Sequence, residues 1–151
     1  MNNIENRYDV LKLENQLCFP LYAASREVVK QYRPFLDELD LTYTQYIAMM
    51  IFWEQGSCSV KELGERLFLD SGTLTPVLKS LEAKGFVRRY RSSRDERVVI
   101  VEITEAGQAL REQAVNVPGQ VGGCIHLDPQ DAHQLYVLLY KLLGTFRDQE
   151  D

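Results

Sequence analysis

The sequence predicts a mostly α-helical fold with one small β-hairpin, in the α+β class. Two observations carry this prediction: apolar residues recur at helical spacing over most of the chain, and one stretch alternates apolar and polar residues beside a polar turn. The 151 residues suit a single domain, 1–151, that can bury a core of its own. The composition, 45% hydrophobic and 26% charged, excludes the fibrous and disordered classes.

The first half of the chain predicts three helices. Residues 13–38 carry a helix-like apolar stripe, whose later part Pro34 should bend or interrupt. Residues 41–56 predict a second helix that ends at its terminal glycine. Residues 59–67 predict a short third helix, because they open with a capping box.

The second half predicts a further helix, a hairpin and two more helices. Residues 73–85 predict the fourth helix, since the proline they contain falls in the first turn. Residues 86–104 read as two strands around the polar turn SSRDE. A fifth helix follows, which the glycine-rich residues 117–123 should break or loosen, and residues 128–146 predict a last, strongly apolar helix.

A short helix, a tight turn, a second helix and a basic hairpin, in this order, are typical of a winged helix-turn-helix. The second helix of such a unit can enter the major groove of DNA. Its N-terminal end here offers groups for phosphates or base edges: Ser71, Thr73, Thr75 and Lys79. The hairpin tip offers cations for a narrow minor groove: Arg91, Arg94 and Arg97.

The distribution of charge also favours double-stranded DNA as the partner. The chain as a whole carries a net charge of −5, which by itself argues against nucleic acid. Residues 79–97, however, contain seven basic and only three acidic side chains. A basic patch on an acidic body is the electrostatic footprint of a DNA-binding protein, although a charged, solvated hairpin would look the same.

Two blocks of sequence carry a family resemblance over about residues 13–145. LDSGTLTPVLKSLEAKGFVRR followed by RDERVVIVEITEAG resembles the MarR family of dimeric winged-helix repressors, whose wing signature D-x-R matches Asp95 and Arg97. LENQLCFPLYAASREVVKQYRPFLDELDLTYTQY resembles its organic-hydroperoxide-sensing branch, the OhrR regulators. The resemblance implies a homodimer joined through residues 13–40 and 105–146, in which 41–104 bind a pseudo-palindromic operator and Asp95 stabilises the wing.

Cys18 is the candidate sensing residue. From the residues alone, Tyr22 shares its helix face and Tyr32 returns to within about 40° of it, so phenol hydroxyls could stabilise a thiolate. A regular helix that starts near Pro20 would add the positive end of its dipole. A small buried apolar cysteine is the plainer interpretation.

The resemblance also implies roles for further residues. It implies that organic hydroperoxides oxidise Cys18, and that tyrosines matching Tyr22, Tyr32 and Tyr43 hydrogen-bond this cysteine across the dimer interface. It further implies a resolving cysteine late in the chain, which Cys124 matches loosely. Mobile glycines would help Cys124 reach its partner.

Several classes of site and location are not expected. The sequence shows no signal peptide and no apolar run long enough to span a membrane, so we expect a cytoplasmic protein. Its three cysteines do not pair as a disulfide framework or a zinc site, and we read Cys58 as structural or incidental. Neither a metal nor a cofactor is expected.

Three alternatives stay open at this stage. The first is a MarR-type repressor gated by a small aromatic ligand, in which Cys18 is inert. The second is a thiol peroxidase, although no peroxidase motif is recognisable. The third is an interaction module that does not bind DNA.

Overall fold

The computed structural model describes residues 6–147, which form seven α-helices and three β-strands. Two short 3₁₀ turns precede the first helix. The elements are α1 Cys18–Asp37, α2 Tyr43–Gln55, β1 Ser57–Ser59, α3 Val60–Leu67, α4 Ser71–Ala83, β2 Val87–Arg91, β3 Val99–Ile103, α5 Glu105–Ala114, α6 Val117–Gly122 and α7 Pro129–Arg147. The mostly helical α+β prediction, with its helix-turn-helix and wing, is confirmed.

The first helix begins later than its apolar stripe suggests. Its regular part starts at Cys18, so Pro20 is its third residue. The first turn of a helix has no intrahelical acceptors for its N–H groups, so proline costs nothing there. Pro34 lies inside α1 without ending it, and the expected interruption does not occur. Leu36, two residues after Pro34, is buried in the core and packs the end of α1 against it.

Three N-caps fix the helices in the middle of the chain. Thr42 and Ser59 each form a capping box with the residue three positions on, at the starts of α2 and α3. Asp70 caps α4 by accepting from the backbone N–H of Thr73 at 2.7 Å. This cap starts α4 at Ser71, two residues before the predicted boundary.

The three strands form one antiparallel sheet in the order β1-β3-β2. The two strands predicted around the turn SSRDE are present, and they pair Val87 with Ile103 and Arg91 with Val99. Strand β1 was not predicted, because three residues are too few to show a period. It pairs Cys58 with Val101, and both side chains are buried.

The helix-turn-helix is closed by a tight approach of α3 to the turn that follows it. A Cβ on Gly64 would lie 2.7 Å from the carbonyl oxygen of Leu69, so only glycine fits. Phe68 adopts the left-handed conformation, with φ of 55°, and turns the chain towards α4. Leu74 and Leu78 of α4 then complete the core under the turn.

The C-terminal part differs from the prediction in one place. Residues 117–122 form the helix α6 rather than a loosened connection. Val117 and Val121 lie one turn apart, and both are buried in the core, which fixes the segment despite its glycines. Helix α7 has no buried residue. Within residues 6–147, no helix is long and apolar enough to cross a membrane.

Candidate functional site

The N-terminal half of α4 presents short polar groups to solvent. Ser71, Thr73 and Thr75 are exposed, whereas Leu74 is buried beneath them. The Thr75 hydroxyl donates to the carbonyl oxygen of Ser71 at 2.7 Å, so it keeps lone pairs that can accept a hydrogen bond from a ligand. The hydrogen bond from the Thr73 backbone lowers the pKa of the capping Asp70. This end of α4 has the shape and the donors expected of a DNA-reading helix.

The tip of the wing is built around Asp95. Its carboxylate accepts from the backbone N–H and the guanidinium of Arg97, both at 3.1 Å, and these bonds lower the pKa of Asp95. Its carbonyl oxygen accepts from the backbone N–H of Val98 at 2.9 Å. The Arg97 side chain nevertheless stays 90% exposed. Asp95 therefore orders the turn and orients the Arg97 side chain, which stays exposed to solvent.

The basic residues of the patch divide into two groups. Three have carboxylate partners on neighbouring elements: Lys84 with Asp40, Arg88 with Glu102, and Arg89 with Glu82. Within residues 6–147, no carboxylate lies within ion-pair distance of Lys79, Arg91 or Arg94. Arg91 donates instead to the carbonyl oxygen of Glu96 at 3.1 Å, and a role of these three and Arg97 in binding phosphate stays a prediction. The sequence could not make this distinction, because it depends on pairing between elements.

Cys18 is exposed at the first turn of α1. Its position there agrees with the expectation that α1 begins near Pro20, and the first-turn N–H groups favour a negative charge. The flanking side chains are apolar and exposed: Leu17, Phe19 and Leu21. Within the described residues, no side chain forms a hydrogen bond to the Cys18 sulfur. In this conformation the thiol is thus open to donors from a second chain or from solvent.

Tyr22 lies one turn after Cys18 and faces an arginine. Its hydroxyl accepts from Nη1 of Arg26 at 3.2 Å, and the Arg26 guanidinium lies 5.4 Å from the centre of its ring. The Tyr22 hydroxyl keeps its proton free for donation. Its role towards Cys18 stays a prediction.

Tyr32 and Tyr43 belong to an aromatic cluster at the other end of α1. Their ring centres are 4.9 Å apart, and Tyr46 lies 5.8 Å from Tyr32. Burial raises the pKa of Tyr43, and it raises that of Tyr46 to about 12, so both hydroxyls keep their protons. Sequence reasoning missed Tyr46, although it lies only three residues after Tyr43 on the same helix face.

The aromatic cluster is far from Cys18 of the same chain. Fourteen residues of helix separate Tyr32 from Cys18, which corresponds to about 21 Å along α1. Shared helix phase does not bring two side chains together over four turns. Tyr32 and Tyr43 can therefore reach a Cys18 thiol only on another protomer, which is the arrangement that the resemblance implies.

Cys124 is exposed just after α6, and its thiol donates to the carbonyl oxygen of Gln120 at 3.5 Å. Gln120 of α6 lines one groove together with Phe35 and Leu39, which lie at and just after the end of α1. Helix α6 is therefore at the end of α1 that is far from Cys18. A disulfide needs Cα atoms within about 7 Å, so Cys18 and Cys124 of one chain cannot pair in this conformation.

Cys58 differs from both exposed cysteines. It is only 6% exposed, and burial raises its pKa to about 11. A thiol that stays protonated is a poor nucleophile and a poor metal ligand. This placement agrees with the structural interpretation of Cys58.

Comparison with known proteins gives a consistent set of relatives. The model of the family described as transcriptional regulator SarA/Rot matches residues 30–113. An organic hydroperoxide resistance transcriptional regulator of Bacillus subtilis (strain 168) is 50% identical over 146 residues, which cover 97% of this chain and 99% of that protein.

Two solved structures of AbfR of Staphylococcus epidermidis share the fold. Reduced AbfR bound to DNA has a TM-score of 0.78 at 30% identity, over 97% of this chain and 100% of that one. Disulfide-formed AbfR has a TM-score of 0.62 at 34% identity, over 91% and 96% of the two chains. The matching proteins are thus regulators of transcription, one of them seen both on DNA and with a disulfide.

Proposed function

This chain belongs to the SarA/Rot family of MarR-type winged-helix transcriptional regulators, and from that membership we propose that it represses transcription until an organic hydroperoxide oxidises Cys18. It is a DNA-binding regulator and not an enzyme, which removes the thiol peroxidase and the module without DNA from the alternatives. The observation that carries the proposal is the exposed Cys18 at the first turn of α1, set among apolar side chains.

DNA binding uses residues 41–104 of each of two chains. Thr73 and its neighbours on α4 enter the major groove, and the wing places its arginines against the minor groove. Residues 13–40 and 105–146 form the dimer, which is supported by the exposed apolar side chains of α1 and α7. Two-fold symmetry then places two α4 helices about one DNA turn apart, so the operator is pseudo-palindromic.

Sensing begins with the Cys18 thiolate. Its sulfur attacks the hydroperoxide, an S–O bond forms, the O–O bond breaks, and the leaving alkoxide takes up a proton to become an alcohol. Sulfur is thereby oxidised to a sulfenic acid while the hydroperoxide is reduced. Before oxidation, the hydroxyls of Tyr22, Tyr32 and Tyr43 of the partner subunit donate to the thiolate. Leu17 and Phe19 favour an organic hydroperoxide over hydrogen peroxide.

Resolution of the sulfenic acid uses Cys124 of the partner subunit. Its thiol attacks the Cys18 sulfur, an S–S bond forms, and water leaves. Helix α6 anchors Cys124 at the end of α1 where the aromatic cluster lies, far from Cys18 of the same chain. This position supports a disulfide between Cys18 and Cys124 of different protomers rather than within one chain. Each loss of about 1.4 kcal/mol in binding free energy lowers DNA affinity tenfold, so a shift of the two α4 helices that costs about 3–4 kcal/mol empties the operator. A repressor of this kind works in the cytoplasm.

The test measures DNA release by fluorescence anisotropy, on a duplex that the reduced protein selects from a random pool. We expect cumene hydroperoxide to release DNA from the parent and not from Cys18→Ser. Cys58→Ser is the matched control and should behave as the parent does, because Cys58 is buried. Release from Cys18→Ser would refute sensing by Cys18 and favour the repressor gated by an aromatic ligand.

A non-reducing gel tests the second step. After peroxide treatment, the parent should run as a covalent dimer, and Cys124→Ser should not. A parent that stays monomeric on this gel, while still losing DNA, would exclude Cys124 as the resolving residue and leave Cys18 capped by a small thiol.

A further inference from the structure

A group of five polar residues joins the turn between α1 and α2 to the last turn of α4. We name it the Gln45 cluster; its members are Asp40, Thr42, Gln45, Ser80 and Lys84. At its centre, Gln45 is 5% exposed, and no other polar residue of 6–147 is buried. A buried amide is costly unless its groups are bonded, so this position has a specific requirement.

Gln45 bonds in two directions. Towards its own helix, its Oε1 accepts from the backbone N–H of Thr42 at 3.1 Å, and its backbone N–H donates to the Thr42 hydroxyl at 3.2 Å. Towards α4, its Nε2 donates to Oγ of Ser80 at 2.9 Å, and its Oε1 also accepts from Nζ of Lys84 at 3.1 Å. A single side chain therefore caps α2 and holds α4.

Lys84 closes the cluster on the side of the turn. Its ammonium donates to the carbonyl oxygen of Asp40 and lies 3.3 Å from that residue's carboxylate. Asp40 has a φ of 53°, a conformation that non-glycine residues adopt only when their surroundings hold it. Lys84 thus belongs to the contact between elements, although its charge counts in the basic patch.

The cluster lies between two parts of the molecule that act in the proposed function. Tyr43, whose ring contacts Tyr32, stands in the chain between Thr42 and Gln45. Ser80 lies on α4, the helix whose first turn carries Ser71 and Thr73. Gln45 is buried and bonded both to the start of α2 and to α4, so a shift at the start of α2 moves α4 with it.

We propose that Gln45 is a positioning residue that transmits the oxidation state of Cys18 to the recognition helix α4. The proposal rests on the proposed function, and it adds the route of the signal. When oxidation removes the thiolate from the hydroxyl of Tyr43, the first turn of α2 relaxes. Gln45 carries this displacement to Ser80 and Lys84, and α4 leaves its place in the groove.

The experiment measures the release ratio, the DNA dissociation constant after cumene hydroperoxide divided by that of the reduced protein. Gln45→Met keeps the length of the side chain and removes its polar contacts. We expect its release ratio to fall about threefold to tenfold below that of the parent, the effect of losing one or two hydrogen bonds. Gln108→Met, at an exposed position on α5, is the matched control and should keep the parent's ratio.

A merely structural role is separated by a rescue. In Gln45→Glu the carboxylate still accepts from Thr42 and Lys84, and the Ser80 hydroxyl can donate to it, so the release ratio should return. Loss of packing alone would weaken DNA binding equally in both oxidation states and leave the ratio unchanged. A folded Gln45→Met protein with the parent's ratio therefore overturns the proposal.

Two further outcomes are decided by other measurements. If circular dichroism shows that Gln45→Met is unfolded, Ser80→Ala replaces it, since this change removes a contact of α4 and leaves the cap of α2 intact. A smaller release ratio in Ser80→Ala then supports the proposal, and an unchanged one overturns it. If the parent itself has a ratio of one, the proposed function has failed, which is a separate result from failure at Gln45.

Discussion

The middle of the chain and its two ends bury their apolar side chains to very different extents. In residues 41–104, Met49, Phe52 and Leu63 have no exposed surface. In contrast, Leu36 is the one buried residue of α1, α7 has none, and Leu138 of α7 is 61% exposed. A helix with an apolar stripe depends on packing for its stability. The middle thus contributes most of the buried core, whereas α1 and α7 need a second surface.

The three cysteines follow the same division. Cys58, in the middle, is buried, and the two exposed thiols, Cys18 and Cys124, lie on the terminal segments. In the proposed function, oxidation therefore occurs where the chains of a dimer meet, and DNA is read by a unit whose packing does not include the exposed thiols. Such a separation requires a connection, and the Gln45 cluster provides one.

The largest expected effect is a loss of core packing in the middle of the chain. Phe52→Ala removes a fully buried ring and leaves a cavity, so we expect the free energy of unfolding to fall by about 3–5 kcal/mol in urea titrations. Met50→Ala, on the same helix and 44% exposed, should cost far less. Equal losses would show that Phe52 does not lie in a tightly packed core.

The next largest expected effect is a loss of dimerisation through the C-terminal helix α7. Leu138→Asp places a charge on the apolar surface of α7, where burial against a second chain would be costly. We expect sedimentation velocity at micromolar concentration to report a single chain for the variant and two for the parent, with the helical signal of the middle retained. His133→Asp introduces the same charge at an exposed polar position about 140° round α7 from Leu138 and should stay dimeric. If both variants sediment as the parent does, Leu138 is not in the interface.

The cysteines allow the same comparison to be made by chemistry. The pKa of Cys58 is raised to about 11 from 9.0, so near pH 8 its thiolate fraction is about a hundredfold lower than that of an ordinary thiol. We expect iodoacetamide to label Cys18 and Cys124 first. The rate at Cys58 should rise about tenfold per pH unit between pH 8 and 10, as followed by mass spectrometry. Labelling of Cys58 as fast as Cys18 would mean that the middle opens readily.

The sequence predicts the structure of residues 41–104 more closely than that of the terminal segments. In the middle, caps, glycines and alternation act locally, so α2, α3 and the hairpin were predicted to within a few residues. Helix α6 was missed, because Val117 and Val121 become informative only once α1 packs on them. Strand β1 was missed because its pairing with β3 is a contact between distant residues.

The candidate sites divide in a similar way. The exposure of Ser71, Thr73 and Thr75 was predictable from their short polar side chains at the start of α4. Neither the pairing of Lys84 with Asp40 nor the position of Gln45 against Ser80 was predictable, because both join residues far apart in the chain. Helix phase also suggested nearness of Tyr32 to Cys18, which the length of α1 excludes within one chain.

The smallest expected effect comes from the charged N-cap of α4, which α1 lacks. Asp70 caps α4 through its carboxylate, whereas Leu17, at the same position of α1, offers no side-chain bond. Since the backbone N–H of Thr73 lowers the pKa of Asp70 below its usual 3.8, the ionised cap stabilises the folded state above pH 4. This contribution is lost as the pH falls through the lower, folded pKa.

Asp70→Asn keeps an oxygen that accepts from Thr73 but removes the charge at the positive end of α4. We therefore expect the variant to melt a few degrees below the parent near pH 6, and the two melting temperatures to converge as the pH falls from about 4 towards 2. Glu112→Gln, which removes an exposed carboxylate from α5, serves as the control and should show no such convergence. Equal melting temperatures of parent and Asp70→Asn at every pH would assign the effect of Asp70 to its hydrogen bond alone, which Asn keeps, and the middle of the chain would then owe its stability to packing and neutral caps without help from this charge.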